Sequence, residues 1–200
     1  MDRQDAETTL DLIRHGEPEG GTRLRGWRDD PLSARGWEQM WGTVGEANSW
    51  DVIVTSPLSR CAAFAAALGE RHGLPVEIEP RLREVGFGDW EGRLPGELYD
   101  ENPDGVMGFW TDPVGHPAPG GEPIEAFGER VQAAWSELLE RHGERHLLLV
   151  THGGVIRVLL GGVLGAPLSH LFRLEVPYAG LSRVRVSGGL PRVVFHGGRP

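Results

Sequence analysis

Apolar residues along this chain fall into short continuous runs separated by longer stretches in which they recur every three or four positions. The runs Leu10-Asp11-Leu12-Ile13, Val52-Ile53-Val54 and Leu147-Leu148-Leu149-Val150 predict buried strands, with a further short strand at Val76–Ile78. Helical spacing covers Ser33–Asn48, with Ser33 as its N-cap, and Ser56–His72, where Gly73 offers a stop. In Glu122–His142 it is clearest: Ile124, Phe127, Val131, Trp135, Leu138 and Leu139 share one face, and Gly143 ends the run. A fourth helix is expected over Gly154–Leu164. Ser182–Val186 and Arg192–His196 alternate around Ser187-Gly188-Gly189, a hairpin signal. The interval 94–121 holds Pro95, Pro103, Pro113, Pro117 and Pro119 among several glycines, which predicts a loop-rich lid excursion with little regular structure. Strands alternating with helices predict a three-layer α/β/α sandwich with a mostly parallel central sheet.

Two hundred residues suit one domain over 1–200, with residues 1–7, polar and acidic, as a flexible tail. That beginning has no basic-then-apolar leader pattern, and a cytoplasmic location is expected. Twenty basic against 29 acidic side chains give a net charge of −9, which argues against nucleic-acid and membrane partners. The longest apolar stretch, Leu147–Leu164, is broken by His152, Arg157 and four glycines and is too polar for a bilayer span. Cys61, the sole cysteine, reads as a small buried residue at the start of an alanine-rich helix.

Candidate chemistry gathers at the ends of the predicted strands. The first runs into Arg14-His15-Gly16, the second into Ser56-Pro57-Leu58-Ser59-Arg60, and the third into His152-Gly153-Gly154. If these strands are neighbours and parallel, Arg14, His15, Arg60 and His152 converge where α/β proteins place their ligands. Two guanidiniums and two imidazoles beside glycine-flanked amides suit a phosphate group. Singly, each residue would more often be structural; the matching contexts outweigh that reading. His15 is the candidate nucleophile, attacking through one ring nitrogen while the other donates to a backbone carbonyl. Arg14, Arg60 and His152 would hold the phosphoryl oxygens, and the helix starting after His152 directs its N-terminus at them. No histidine spacing suits a metal site, and adjacent arginines would repel a cation; neither metal nor cofactor is expected. Arg157 is expected to anchor its helix by an ion pair, and Trp27 and Trp90 to reach the pocket rim.

The chain resembles the histidine phosphatase superfamily, which contains the cofactor-dependent phosphoglycerate mutases and many small phosphatases. L-I-R-H-G-E at 12–17, D-D-P-L-S at 29–33, S-P-L-S-R-C at 56–61, L-R-E-V-G-F-G-D-W-E-G at 82–92, P-G-G-E at 119–122 and V-T-H-G-G-V-I-R at 150–157 carry the likeness in order. It implies a phosphoglycerate mutase-like fold, a phosphohistidine on His15, and Glu84 as proton donor to the leaving group, with Asp89 and Glu91 as sequence-near competitors. Gly153 joins the expected substrate contacts. Pro18 and Gly21 stand where many relatives have Thr and Asn, so Thr22 or amides near Gly20 and Gly21 are candidates to replace the lost contact; Arg25 and Gly26 are placed at the substrate rim. Among branches, the chain looks most similar to the α-ribazole phosphatases, implying α-ribazole 5′-phosphate as the small phosphorylated metabolite. The alternatives are a phosphoglycerate mutase and a catalytically silent phospho-ligand-binding regulator. The complete set Arg14, His15, Arg60, Glu84 and His152 argues against the second. Against the first stands the excursion, which has neither lysine nor arginine, Arg93 standing just before its start, leaving a second anionic group without obvious partners.

Overall fold

In the computed structural model, which describes residues 7–47 and 49–198, the three chemistry-bearing strands are neighbours. β1 (Glu7–Arg14), β2 (Val52–Thr55), β3 (Val76–Ile78), β4 (His146–Thr151), β5 (Leu181–Ser187) and β6 (Leu190–Gly198) form one sheet in the order β3-β2-β4-β1-β5-β6. The first four strands are mutually parallel, and β5 and β6 extend the β1 edge antiparallel. β4 comes late in the chain but lies between β1 and β2, with Val150 level with both Ile13 and Thr55. The carboxyl ends of all three therefore open at one place, where the strand order reverses.

Helices cover both faces. α1 (Ala34–Val44) and α2 (Ser59–His72) contribute Met40, Phe64 and Leu68 to a core with Ile13, Ile53, Leu148 and Val150. Leu10, Leu12, Val54, Leu147 and Leu149 point the other way, into a core shared with α5 (Ile124–Arg141) and α6 (Gly153–Leu164). The strand alternation thus feeds two layers, as the continuous apolar runs require. Asp11, buried within β1, is satisfied by Arg183 at 2.7 Å, the Trp50 indole at 2.8 Å and His146 at 3.0 Å. Burial opposes its charge, but these bonds prevail and hold the carboxyl below its ordinary range.

Helix starts follow side-chain chemistry. Ser33 caps α1 by accepting from Gly36 N at 3.0 Å. α2 begins at Ser59 rather than Ser56, since the residue before Pro57 is driven to extended backbone. Gly73 closes α2 in the left-handed conformation, φ 67°. α1 ends at Val44, and the Asn48 end of the expected helix lies outside the described residues. The expectation for 94–121 needs correction: the segment contains α3 (Pro95–Glu101) and α4 (Pro103–Thr111). Both prolines sit in a first helical turn, where the missing N–H costs nothing, and Asn102 caps α4 by accepting from Gly105 N at 3.0 Å. Leu98, Val106 and Phe109 tie the pair into the main core. The tail expectation also stops short, because Glu7 already pairs with Ser187 in the sheet; residues 1–6 lie outside the described residues. Gly188 and Gly189, both at positive φ, make the tight turn between β5 and β6. Among the described residues, no helix is long and apolar enough to cross a membrane.

Candidate active site

The corner after β1 is fixed by backbone. His15 N donates to Thr151 O at 2.9 Å, and Gly16 lies so close to Gly36 that a side chain there would overlap the Gly36 carbonyl. His15 Nδ1 is 2.7 Å from Gly16 O, which places the ring proton on Nδ1 and the free lone pair on Nε2. Burial, then the charges of Arg60 and Arg14, push the His15 pKa well below its ordinary value. The imidazole is therefore neutral, as a nucleophile must be.

Around it stand two arginines whose donors are incompletely used. Arg14 stacks its guanidinium 4.1 Å from the Tyr178 ring centroid and donates from Nη1 to Val176 O at 2.6 Å. Arg60 is fully buried, with Nη1 on Arg28 O and Nη2 on Gly26 O, each at 2.8 Å. The Nε groups of both are buried without an acceptor. An unmet buried donor costs roughly 1–3 kcal/mol, so two of them at one site call for an anion rich in acceptors. His152, also fully buried, sets its ring edge-on to His15 at 5.2 Å and bonds Ser56 Oγ through Nε2 at 2.7 Å. Burial and the Arg60 charge lower its pKa well below the ordinary value, so it too is neutral.

Glu84 completes the group from the loop that follows β3. Its two carboxylate oxygens accept from Val85 N and Gly154 N, each at 3.0 Å, and a side chain at Gly154 would displace that carboxylate. The segment is clamped by Arg130, which donates to the carbonyls of Arg83 (2.8 Å) and Glu84 (3.0 Å) and pairs with Glu122 at 2.7 Å. Glu122 is the acid of the P-G-G-E segment, whose place in the motif is thereby explained. Among the described residues Glu84 is the one carboxylate lining the pocket, and neither Asp89 nor Glu91 lines it.

The pocket is a cavity of about 170 Å³ that Arg14, His15, Glu84, Gly153 and Arg25 line, opening beside the exposed Arg23. Arg60 and His152 lie deeper, fully buried behind its surface. Of the other expected contacts, Gly21, Thr22 and Gly26 do not line it. Thr22 is exposed; Gly21 O accepts from Arg25; Gly26 is buried and holds Arg60 through its carbonyl. Arg25 keeps its place but is already paired with Asp30 at 2.6 Å. Trp90 packs on Phe109 in the core, and Trp27 turns its indole N–H to Glu84 O at 3.1 Å, so neither forms the rim. Arg157 makes no ion pair among the described residues; it donates from Nε to Leu174 O at 2.7 Å and lines the pocket. Tyr178, Trp110 and Phe172 also line it, from segments that carry no motif. Cys61 is buried, and burial pushes its thiol up to about 12, which leaves it protonated and inert. Among the described residues, no group of three or more His, Cys, Asp or Glu side chains is placed to hold a metal.

A pH consequence follows from the depressed pKa of His15. The ordinary imidazole value is 6.5; with a lowered value, His15 stays neutral as pH falls through that point. The acid limb of kcat/KM, computed on the substrate dianion, should therefore lie below pH 6.5. In the unfolded chain the same imidazole takes up a proton near its ordinary value while the folded one does not, so this group has no effect on stability above pH 6.5 and lowers stability progressively as pH falls below 6.5. A limb centred at or above 6.5 would contradict the assignment.

Fold and site together define an α/β protein with an arginine-lined pocket built around a histidine at a sheet switch point. The chain belongs to the histidine phosphatase superfamily, branch 1, whose family model matches residues 10–197. It is 33% identical over 170 residues to the adenosylcobalamin/alpha-ribazole phosphatase of Escherichia coli (strain K12), covering 82% of this chain and 83% of that protein. It is 34% identical over 172 residues to the glucosyl-3-phosphoglycerate phosphatase of Mycolicibacterium vanbaalenii, covering 80% and 76%. The crystal structure of the alpha-ribazole phosphatase from Shigella flexneri superposes with a TM-score of 0.82 at 28% identity, covering 96% of each chain.

Proposed function

We propose that this protein is a metal-independent phosphomonoester hydrolase working through a phosphohistidine. The observation that carries the reading is the 2.7 Å contact of His15 Nδ1 with Gly16 O: a carbonyl can only accept, so the ring proton sits on Nδ1 and Nε2 is free to attack phosphorus amid the unmet Nε donors of Arg14 and Arg60. In the first half-reaction the Nε2–P bond forms and the ester P–O bond breaks, with Glu84 delivering a proton to the departing alkoxide. In the second, water attacks phosphorus, Glu84 takes the proton back, and His15 is restored. Arg14, Arg60 and His152 hold the non-bridging oxygens throughout.

α-Ribazole 5′-phosphate is the proposed substrate, supported by the sequence likeness and by an aromatic wall of Trp110, Phe172 and Tyr178 suited to a flat base. A screen of α-ribazole 5′-phosphate, 3-phosphoglycerate, phosphoserine and sugar phosphates at fixed pH tests this. The highest kcat/KM is expected on the first; turnover of none, nor of p-nitrophenyl phosphate, would favour a silent binding protein. Exhaustive chelation should leave the rate unchanged, while vanadate should inhibit competitively. Loss on chelation with recovery on one added metal would overturn metal independence.

The mutase alternative gains one point from the structure. Arg23 and Arg157 line the pocket, so cations for a second acidic group are present outside the excursion, contrary to the sequence argument. Arg93 itself is engaged with Glu97 and Glu101. Hydrolysis is still the proposed outcome, because the pocket opens to solvent beside Arg23 and water can reach a phosphohistidine there. With 3-phosphoglycerate and a trace of 2,3-bisphosphoglycerate, phosphate release should outrun formation of 2-phosphoglycerate; the reverse order would establish a mutase.

A further inference from the structure

Glu91 has a use that proton transfer does not explain. Its carboxylate accepts backbone amides from two segments at once: Oε1 from Trp27 N at 2.8 Å and Phe87 N at 2.9 Å, and Oε2 from Gly26 N and Arg28 N, each at 3.1 Å. The same short loop turns its carbonyls to Arg60, with Gly26 O on Nη2 and Arg28 O on Nη1. The peptide unit joining Gly26 to Trp27 therefore has its N–H on the Glu91 carboxylate and its C=O on the Arg60 guanidinium. Its dipole lies between an anion and a cation in the orientation both favour. Glu91 and Arg60 are not in direct contact; one peptide couples them.

We infer that Glu91 is the positioning residue for Arg60, holding the 26–28 loop so that the buried Nε of Arg60 stays aimed at the phosphate. The inference rests on the phosphate-binding reading of Arg60 and assigns Glu91 to phosphate affinity. It also accounts for Gly26, where a side chain would strike the Val85 carbonyl and push the loop off Glu91.

A double-mutant cycle tests it, read as vanadate inhibition of p-nitrophenyl phosphate hydrolysis. Glu91→Gln should weaken vanadate about tenfold and raise KM similarly, about 1.4 kcal/mol, with kcat changed much less. In the Arg60→Ala background, where vanadate affinity is already low, Glu91→Gln should add little. Equal weakening in both backgrounds, or a loss confined to kcat, would overturn the inference. Unaltered vanadate affinity in Arg60→Ala alone would instead overturn the phosphate-binding reading of Arg60. Should Glu91→Gln fail to fold, the wild-type protein decides: saturating vanadate should slow hydrogen exchange of the Gly26, Trp27 and Arg28 amides, and unchanged exchange there would defeat the coupling.

Discussion

His15→Ala should abolish turnover of every phosphomonoester while leaving the fold intact, with kcat falling by a factor on the order of 10⁴ or more. The expectation follows from geometry. The imidazole is held by Gly16 O on one nitrogen, is kept neutral by burial and two arginines, and has no other nucleophile beside it to take over. His152 is fully buried and bonded to Ser56, and the Cys61 thiol is held protonated. Rapid quench of the wild type with labelled substrate should trap a phosphoenzyme that is labile in acid and stable in alkali, as a phosphoramidate is. The variant should give no such species. Its circular dichroism and melting temperature should stay near wild type, since the ring makes one side-chain hydrogen bond and its removal opens only a pocket wall. Full activity in His15→Ala would end the covalent mechanism.

Glu84→Gln carries the second large effect, and it depends on the substrate. An alkoxide is a poor leaving group and needs the proton that Glu84 supplies, so hydrolysis of alkyl phosphates should fall by roughly 10²–10⁴. p-Nitrophenolate leaves with little help, so p-nitrophenyl phosphate should suffer far less. The glutamine retains an oxygen for one of the two amides that Glu84 holds, Val85 N or Gly154 N, which limits the structural damage. Equal losses on both substrates would move Glu84 from proton transfer to positioning.

Much of the fold and of the site is legible in the sequence alone. Continuous apolar runs ending in Arg-His-Gly, Ser-Pro-Leu-Ser-Arg and His-Gly-Gly define strands and strand-end chemistry locally, because period and turn residues act over a few positions. Ser33, Gly73 and the Gly188-Gly189 turn are legible for the same reason: a cap or a left-handed glycine works on its own neighbours. The excursion hides its two helices because proline is ambiguous, breaking a helix interior but favouring its first turn. The role of Arg157 is not legible because its partner, Leu174 O, is a carbonyl, which leaves no mark in the sequence.

What the sequence by itself determined, then, is the inventory: which residues can attack, donate protons and hold phosphate, and the strand ends on which most of them ride. Only the tertiary structure decided their arrangement. β4 inserting between β1 and β2 brings His152 to His15 across 137 residues, and that pairing order depends on burying two apolar faces at once. Tyr178 under Arg14, Trp110 and Phe172 in the pocket wall, and Glu91 coupled to Arg60 through one peptide arise from packing between distant segments. Such contacts are selected by shape and by the cost of unmet buried polar groups, both properties of the folded whole.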